Sequence, residues 1–118
     1  MRILVLSKRQ YMSKDLIDDR YGRFREIPLA LAKAGHSVCG ICLSYRTRQE
    51  GVWEDEKNGA SVAWHLLNVD KLFPVGSANY WKKVGAVGKT FQPDIVWACS
   101  DVLHAILGYS VAKKLKVV

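Results

Sequence analysis

Asp101 and His104 are residues whose types and spacing suit acid–base chemistry. They lie three positions apart at the start of the last predicted helix, so both side chains belong to its first turn. A helix N-terminus disfavours a protonated imidazole, and a neutral His104 could accept a proton from a substrate hydroxyl. Asp101 also suits the helix N-cap, and a packed histidine is an equally ordinary use of His104. Both interpretations stay open at this point.

Two segments are expected at the carboxyl edge of the sheet, where open parallel sheets bind ligands. One contains Gly22, flanked by Arg23, at the entry to a predicted helix, and the other contains Cys99 and Ser100 before the last helix. A glycine at that place lets a phosphate or sugar oxygen approach the unpaired backbone N–H groups of the helix. A glycine that serves only the turn is the alternative. Neither the G-x-G-x-x-G fingerprint nor a P-loop occurs in the sequence, so no nucleotide-binding motif supports the stronger interpretation.

Cys39 and Cys42 match the C-x-x-C pattern, but they lie inside a predicted strand. Side chains three positions apart in a strand point to opposite faces, so this pair predicts neither a redox centre nor a metal site. No set of His, Cys and carboxylate residues has metal-ligand spacing, and no cofactor is predicted. His36 is interpreted as structural, and His65 receives no role.

The formal net charge is +7, and the basic residues are spread in pairs along the chain. A nucleic-acid module normally concentrates its charge on one element, so we expect a solvated basic surface and no nucleic-acid partner. No apolar stretch reaches the roughly 18 residues of a membrane-spanning helix. Three cysteines do not make a disulfide framework. We therefore expect a cytoplasmic protein, with the aromatic and basic residues 80–83 as the candidate for peripheral contact with the inner face of a membrane.

Strands and helices alternate along the sequence, which is the pattern of a doubly wound parallel sheet. Apolar runs predict buried strands at residues 3–6, 37–44, 60–67 and 95–99. Helical spacing predicts helices at residues 19–34, 78–91 and 101–116, and Pro28 should kink the first helix or restart it near Glu26. The expected strand order is 3-2-1-4, in a Rossmann-like α/β domain with three α/β/α layers.

Three further segments carry expectations of their own. Residues 8–18 and 45–59 are polar and are predicted to be loops, and residues 68–77 are predicted to be irregular around Pro74. Residues 116–118 look like the start of a fifth central strand, which would need a neighbouring strand on each side. We therefore expect the domain to be truncated at the start of that strand.

In the order of its segments, the sequence resembles the N-terminal domain of GT-B glycosyltransferases of the group 1, family 4 retaining class. The resemblance rests on MRILVLS at the start, on RYGRFREIPLALAKAGHSVCGICLSY, and on PDIVWACSDVLHAILGYSVAKKLKVV at the end. It covers mainly the two βα units around the predicted crevice, and residues 46–92 are not distinctive.

The resemblance implies that residues 1–118 are the acceptor-side domain of a two-domain enzyme whose C-terminal, donor-binding domain is absent from this sequence. Such an enzyme moves a sugar from a nucleotide-sugar donor to a sugar or lipid-linked acceptor, as in polysaccharide biosynthesis, and usually needs no metal. The fragment alone would be inactive.

The resemblance also implies roles for the candidate residues at the predicted crevice. Gly22 and Arg23 would approach the donor phosphates. Cys99 and Ser100 would contact the reacting sugar, with Asp101 and His104 as the catalytic candidates. The sequence departs from the family pattern in two places: it has one glycine where the first loop often has two, and it lacks the histidine that often ends the fourth strand.

The alternative hypothesis is a nucleotide- or dinucleotide-binding Rossmann-type domain of another enzyme class. Such a domain would be expected to have a ribose-binding carboxylate at the end of the second strand, where this sequence has Leu43-Ser44-Tyr45-Arg46. A receiver-like domain would need an acidic pair after the first strand, where Ser7-Lys8-Arg9 stands. The glycosyltransferase remains the leading hypothesis.

Overall fold

The computed structural model describes residues 1–11, 14–17, 22–44, 49–68, 73–99 and 102–118. The strands in this part of the chain are β1 (Arg2–Lys8), β2 (Gln10–Tyr11), β3 (Lys14–Asp15), β4 (Ser37–Ser44), β5 (Gly51–Lys57), β6 (Ala60–Asn68) and β7 (Ile95–Ala98). The helices are α1 (Arg23–Lys33), α2 (Phe73–Phe91) and α3 (Val102–Leu115). None of these helices is long and apolar enough to cross a membrane.

Five strands form one sheet in the order β5-β6-β4-β1-β7. β6, β4, β1 and β7 are parallel, and they are the four predicted strands in the predicted order 3-2-1-4, so that prediction is confirmed. β5 adds an antiparallel strand at one edge of the sheet. The chain therefore has an α/β fold that is consistent with a Rossmann-like domain.

Alternate residues of the central strand β1 belong to two different hydrophobic clusters. Ile3 and Val5 pack in a cluster with apolar residues of α1 and β6. Leu4 and Leu6 pack in a second cluster with residues of α2 and α3. Both faces of β1 are thus covered, which explains why its sequence is apolar without alternation.

Helix α1 begins at Arg23 with Gly22 as its N-cap, and it runs without interruption to Lys33. Asp18 and Asp19, the predicted caps, lie outside the described residues. The predicted restart of the helix near Glu26 is wrong. Pro28 is almost completely buried inside the helix, so the apolar contact of its ring offsets the one backbone hydrogen bond that a proline cannot donate.

The prediction of a loop over residues 45–59 is wrong for residues 51–57, which form β5. β5 and β6 are joined by a two-residue turn at Asn58 and Gly59, with φ angles of 53° and 81°. These positive angles fit the tight hairpin turn that an Asn-Gly pair favours. Only one face of β5 packs on the protein, and most residues on its outer face are charged. The sequence therefore has no apolar run that would predict this strand.

Two other segments predicted to be irregular contain regular structure. Gln10–Tyr11 and Lys14–Asp15 pair as a short antiparallel hairpin. Helix α2 begins at Phe73 rather than near residue 78, which puts Pro74 in the first turn, where its missing N–H costs nothing. At the other end of the chain, the N–H of Val96 in β7 donates to the carbonyl of Val118 at 2.7 Å, so the last residues lie along the outer edge of that strand.

Candidate functional site

The carboxyl ends of the four parallel strands lie at one edge of the sheet, where open α/β sheets bind their ligands. Gly22 and Arg23 stand there because α1 follows the carboxyl end of β1. Gly22 has a φ of 99°, which a glycine adopts without strain, and its carbonyl accepts the N–H groups of Arg25 and Glu26 at 3.0 Å. A Cβ added at Gly22 would meet no atom of the described residues within 4 Å.

Cys99 follows β7 and is bonded to the end of β1. Its backbone N–H donates to the carbonyl of Leu6 at 2.9 Å, and its Sγ lies 3.5 Å from the same oxygen. Burial raises the pKa of the Cys99 thiol, while a hydrogen bond with Ser7 and the charge of Arg23 act in the opposite direction. The structure thus brings together Cys99, Ser7 and Arg23, and a protonated thiol suits hydrogen bonding better than nucleophilic attack.

His104 lies in the first turns of α3 with no solvent exposure. It shares a buried stripe of the helix with Gly108 and Val111, and Gly108 packs so closely on Ala98 that no side chain would fit between the helix and β7. This burial fits a packed histidine, and a catalytic role for His104 stays a prediction. The other catalytic candidate, Asp101, and the binding candidate Ser100 lie outside the described residues.

A pocket of about 450 Å³ opens at the same edge of the sheet, beside β5 and β6. We call it the carboxyl-edge pocket. It is lined by Arg9, Ile17, Gln49, Glu50, Gly51, Val52, Trp53 and Leu66. Arg9 and Ile17 come from the segment after β1, and the other lining residues belong to the β5–β6 hairpin or directly precede it. The pocket therefore lies between the segment that follows the first strand and the edge of the sheet.

The polar residues around the carboxyl-edge pocket are held in place by the backbone. Arg9 is only 5% exposed, and its N–H donates to the carbonyl of Leu43 at 2.8 Å, which extends the pairing of β1 with β4. The carboxylate of Glu50 accepts the N–H of Asn68 at 3.0 Å. Arg9 and Glu50 thus line a pocket that has an aromatic wall at Trp53.

A buried ion pair fixes this wall of the pocket. Arg25 of α1 donates from Nε to Oδ2 of Asp55 at 2.9 Å and from Nη2 to Oδ1 at 3.0 Å. The side chains of Arg25 and Asp55 are 8% and 2% exposed. Asp55 and Trp53 are two residues apart in β5 and so lie on the same face of the strand. The pair therefore attaches the edge strand that carries Trp53 to helix α1.

None of the carboxyl-edge pocket residues was among the sequence candidates, because residues 45–59 were predicted to be a loop. The Asn58-Gly59 pair is the signal that could have located the hairpin, since two residues of this type between strands favour a tight turn. The ion pair between Arg25 and Asp55 has no such local signal. Its partners are 30 positions apart in the sequence.

The remaining candidates behave as their positions in the strands predict. Cys39 and Cys42 belong to different hydrophobic clusters and therefore point to opposite faces of β4. Burial raises the pKa of the Cys39 thiol to about 11, so it is protonated at neutral pH. Within the described part of the chain, no three His, Cys, Asp or Glu side chains form a group that could hold a metal ion.

Comparisons with protein-family models, with curated proteins and with solved structures found no match to this chain.

Proposed function

We propose that this chain is the acceptor-side, Rossmann-like domain of a GT-B glycosyltransferase, with its helices in two layers around the sheet. The observation that carries the proposal is the carboxyl-edge pocket. An aromatic ring can stack on the apolar face of a sugar, while charged and amide groups bind its hydroxyls. Trp53, Arg9 and Glu50 provide these groups at the edge where an acceptor would have to meet the donor.

The proposed donor side is the region between β1 and β7. Arg23 and the N-terminus of α1 supply positive charge and backbone N–H groups, which are the groups that bind a sugar diphosphate. Cys99, with Ser7 beside it, supplies hydrogen-bonding groups near the reacting sugar. As the family resemblance implies, Ser100 would contact the reacting sugar, and the catalytic candidates would be Asp101 and His104. In this proposal most of the donor contacts come from a second domain.

A dinucleotide-binding domain is the competing function that a binding experiment can separate from this one. We expect calorimetric titration of the isolated chain with NAD, and separately with UDP-glucose, to give little or no heat of binding. The reason is that the chain has one glycine at the α1 N-terminus and no carboxylate at the end of β4, where a ribose would be held. Incubation with UDP-glucose should release no UDP.

Micromolar binding of NAD would contradict the proposal, and so would sugar transfer by the isolated chain. The variant Arg23→Ala tests the proposed donor side, because Arg23 is exposed and is the first residue of α1. Any weak binding of UDP-glucose should be reduced further by this change, since the charge of Arg23 acts at the Cys99 end of the proposed donor side, where it lowers the pKa of the thiol.

A further inference from the structure

Besides the carboxyl-edge pocket, a groove of about 450 Å³ lies between α2 and the sheet, and we call it the α2 groove. One wall is a stripe of α2 formed by Lys83, Ala86, Val87, Thr90 and Phe91. The spacing of these residues puts them on one helix face, and eight residue steps make the stripe about 12 Å long. The groove lies on the side of the sheet opposite to Trp53, so it is separate from the carboxyl-edge pocket.

The α2 groove has a basic side chain at each end, and at the Arg2 end the carboxylate of Asp94 accepts the backbone N–H of Arg2 at 2.7 Å. Lys83 lies at one end, close enough to His65 for its charge to lower the pKa of that imidazole. Arg2 lies at the other end, where its Nε donates to the carbonyl of Phe91 at 2.7 Å and its guanidinium lies 4.6 Å from the centre of the Phe91 ring. Neither Lys83 nor Arg2 forms an ion pair with any residue that the structure describes.

The middle of the α2 groove is uncharged. Val87 is buried there, and the Cys39 thiol is protonated because burial and the nearby Glu54 raise its pKa to about 11, an effect that Arg2 opposes. The charge of Glu54 also disfavours a second negative charge at this position. An acidic group of a ligand would therefore bind at the ends of the groove and not at its centre.

His65 offers a hydrogen-bonding position beside Lys83. Its Nδ1 is enclosed, and no residue in the described ranges forms a hydrogen bond with it. Burial, and then the charge of Lys83, lower the pKa of His65, so the imidazole is neutral at pH 7. A carboxylate placed beside Lys83 would pair with the ammonium group, and its negative charge would favour the protonated form of the neighbouring imidazole.

We propose that the α2 groove binds a linear organic anion with a carboxylate at each end and an apolar chain between them. The basic ends and the apolar centre of the groove match such a molecule over about 12 Å. One carboxylate would lie against Lys83 and His65, and the other against Arg2. This binding site does not depend on the proposed sugar transfer.

Azelate, a linear dicarboxylate, is the probe for this site. We expect azelate to bind the chain in calorimetry, and octanoate, which has one carboxylate, to bind about tenfold more weakly. Lys83→Gln should weaken azelate binding by about tenfold. The matched control is Lys82→Gln, because Lys82 is also exposed on α2 but does not line the groove, and it should change the affinity by less than about twofold.

NMR titration of the His65 imidazole gives a second readout at the site itself. A bound carboxylate favours the protonated ring, so the pKa of His65 should rise when azelate is present and should not change with octane-1,8-diol. The proposal is overturned if azelate does not bind, if it binds no better than octanoate, or if Lys83→Gln and Lys82→Gln have the same effect. Neither outcome of the azelate experiments tests the proposed binding of a sugar in the carboxyl-edge pocket.

Discussion

Arg25→Ala and Asp55→Ala are each expected to lower the free energy of unfolding by about 3–5 kcal/mol. Arg25→Ala leaves the carboxylate of Asp55 buried without the guanidinium, because both side chains are enclosed between α1 and β5. Asp55→Ala removes both hydrogen bonds from Arg25 to that carboxylate, although Arg25 keeps its contact with Oε1 of Glu26 at 3.2 Å. A single domain has a total stability of about 5–15 kcal/mol, so either variant should lose a large part of it and should unfold at a much lower urea concentration. Urea unfolding followed by circular dichroism measures the change.

Lys57→Ala is the matched control for the buried pair. Lys57 lies in the same edge strand and forms an ion pair with Glu26 of α1 at 3.4 Å, but both side chains are about half exposed. We expect this variant to lose less than about 1 kcal/mol. In a double-mutant cycle, Arg25→Ala combined with Asp55→Ala should cost less than the sum of the single changes. Equal effects for the exposed and the buried pair would contradict the role assigned to Arg25 and Asp55.

Gly40→Ala is expected to destabilise the protein by about 3 kcal/mol, at the upper end of what overpacking in a core costs. A Cβ added at Gly40 would collide with the indole ring of Trp64. Gly40 and Trp64 are paired in neighbouring strands, and Trp64 is fully buried, so the ring has no free space to move into. Thermal unfolding of the variant would measure the loss.

Two further variants separate a steric effect from the general effect of replacing glycine. Gly85→Ala in α2 meets only the end of the Lys114 side chain at 3.4 Å, so it should be neutral or stabilising by up to about 1 kcal/mol. Trp64→Leu removes the ring, and Gly40→Ala should cost little in that background. If Gly40→Ala is harmless in the wild-type protein, the packing of Trp64 described above is wrong.

The parallel part of the sheet could be predicted from the sequence because burial on both faces leaves a strong local signal. Ile3, Leu4, Val5 and Leu6 form a continuous apolar run, and the alternation of such runs with helices limits the order of the strands. The predicted position of Gly22 and Cys99 at one edge follows from the same order. Cys99 does follow the carboxyl end of β7, and Arg23, which is next to Gly22, is close enough for its charge to lower the pKa of that thiol.

The edge strand β5 and the pocket beside it could not be predicted in the same way. Only one face of β5 is packed, and its sequence contains Glu54 and Glu56, so hydrophobic periodicity is weak. The placement of Trp53 depends on the pairing of Asp55 with Arg25, which is a long-range contact. Nothing in the local sequence of either residue indicates that their charges neutralise each other.

The proposed function is tested most directly by NMR titration of the isotopically labelled chain with the methyl glycosides of glucose, galactose, mannose and N-acetylglucosamine. We predict millimolar binding of at least one sugar, with shifts concentrated at Glu50, Gly51, Trp53 and Leu66. Trp53→Ala should abolish these shifts, while Trp53→Phe, which keeps an aromatic ring, should retain them in part. Sugars that shift no residue of the carboxyl-edge pocket, or shifts that persist in Trp53→Ala, would contradict the assignment of this chain as an acceptor-binding domain.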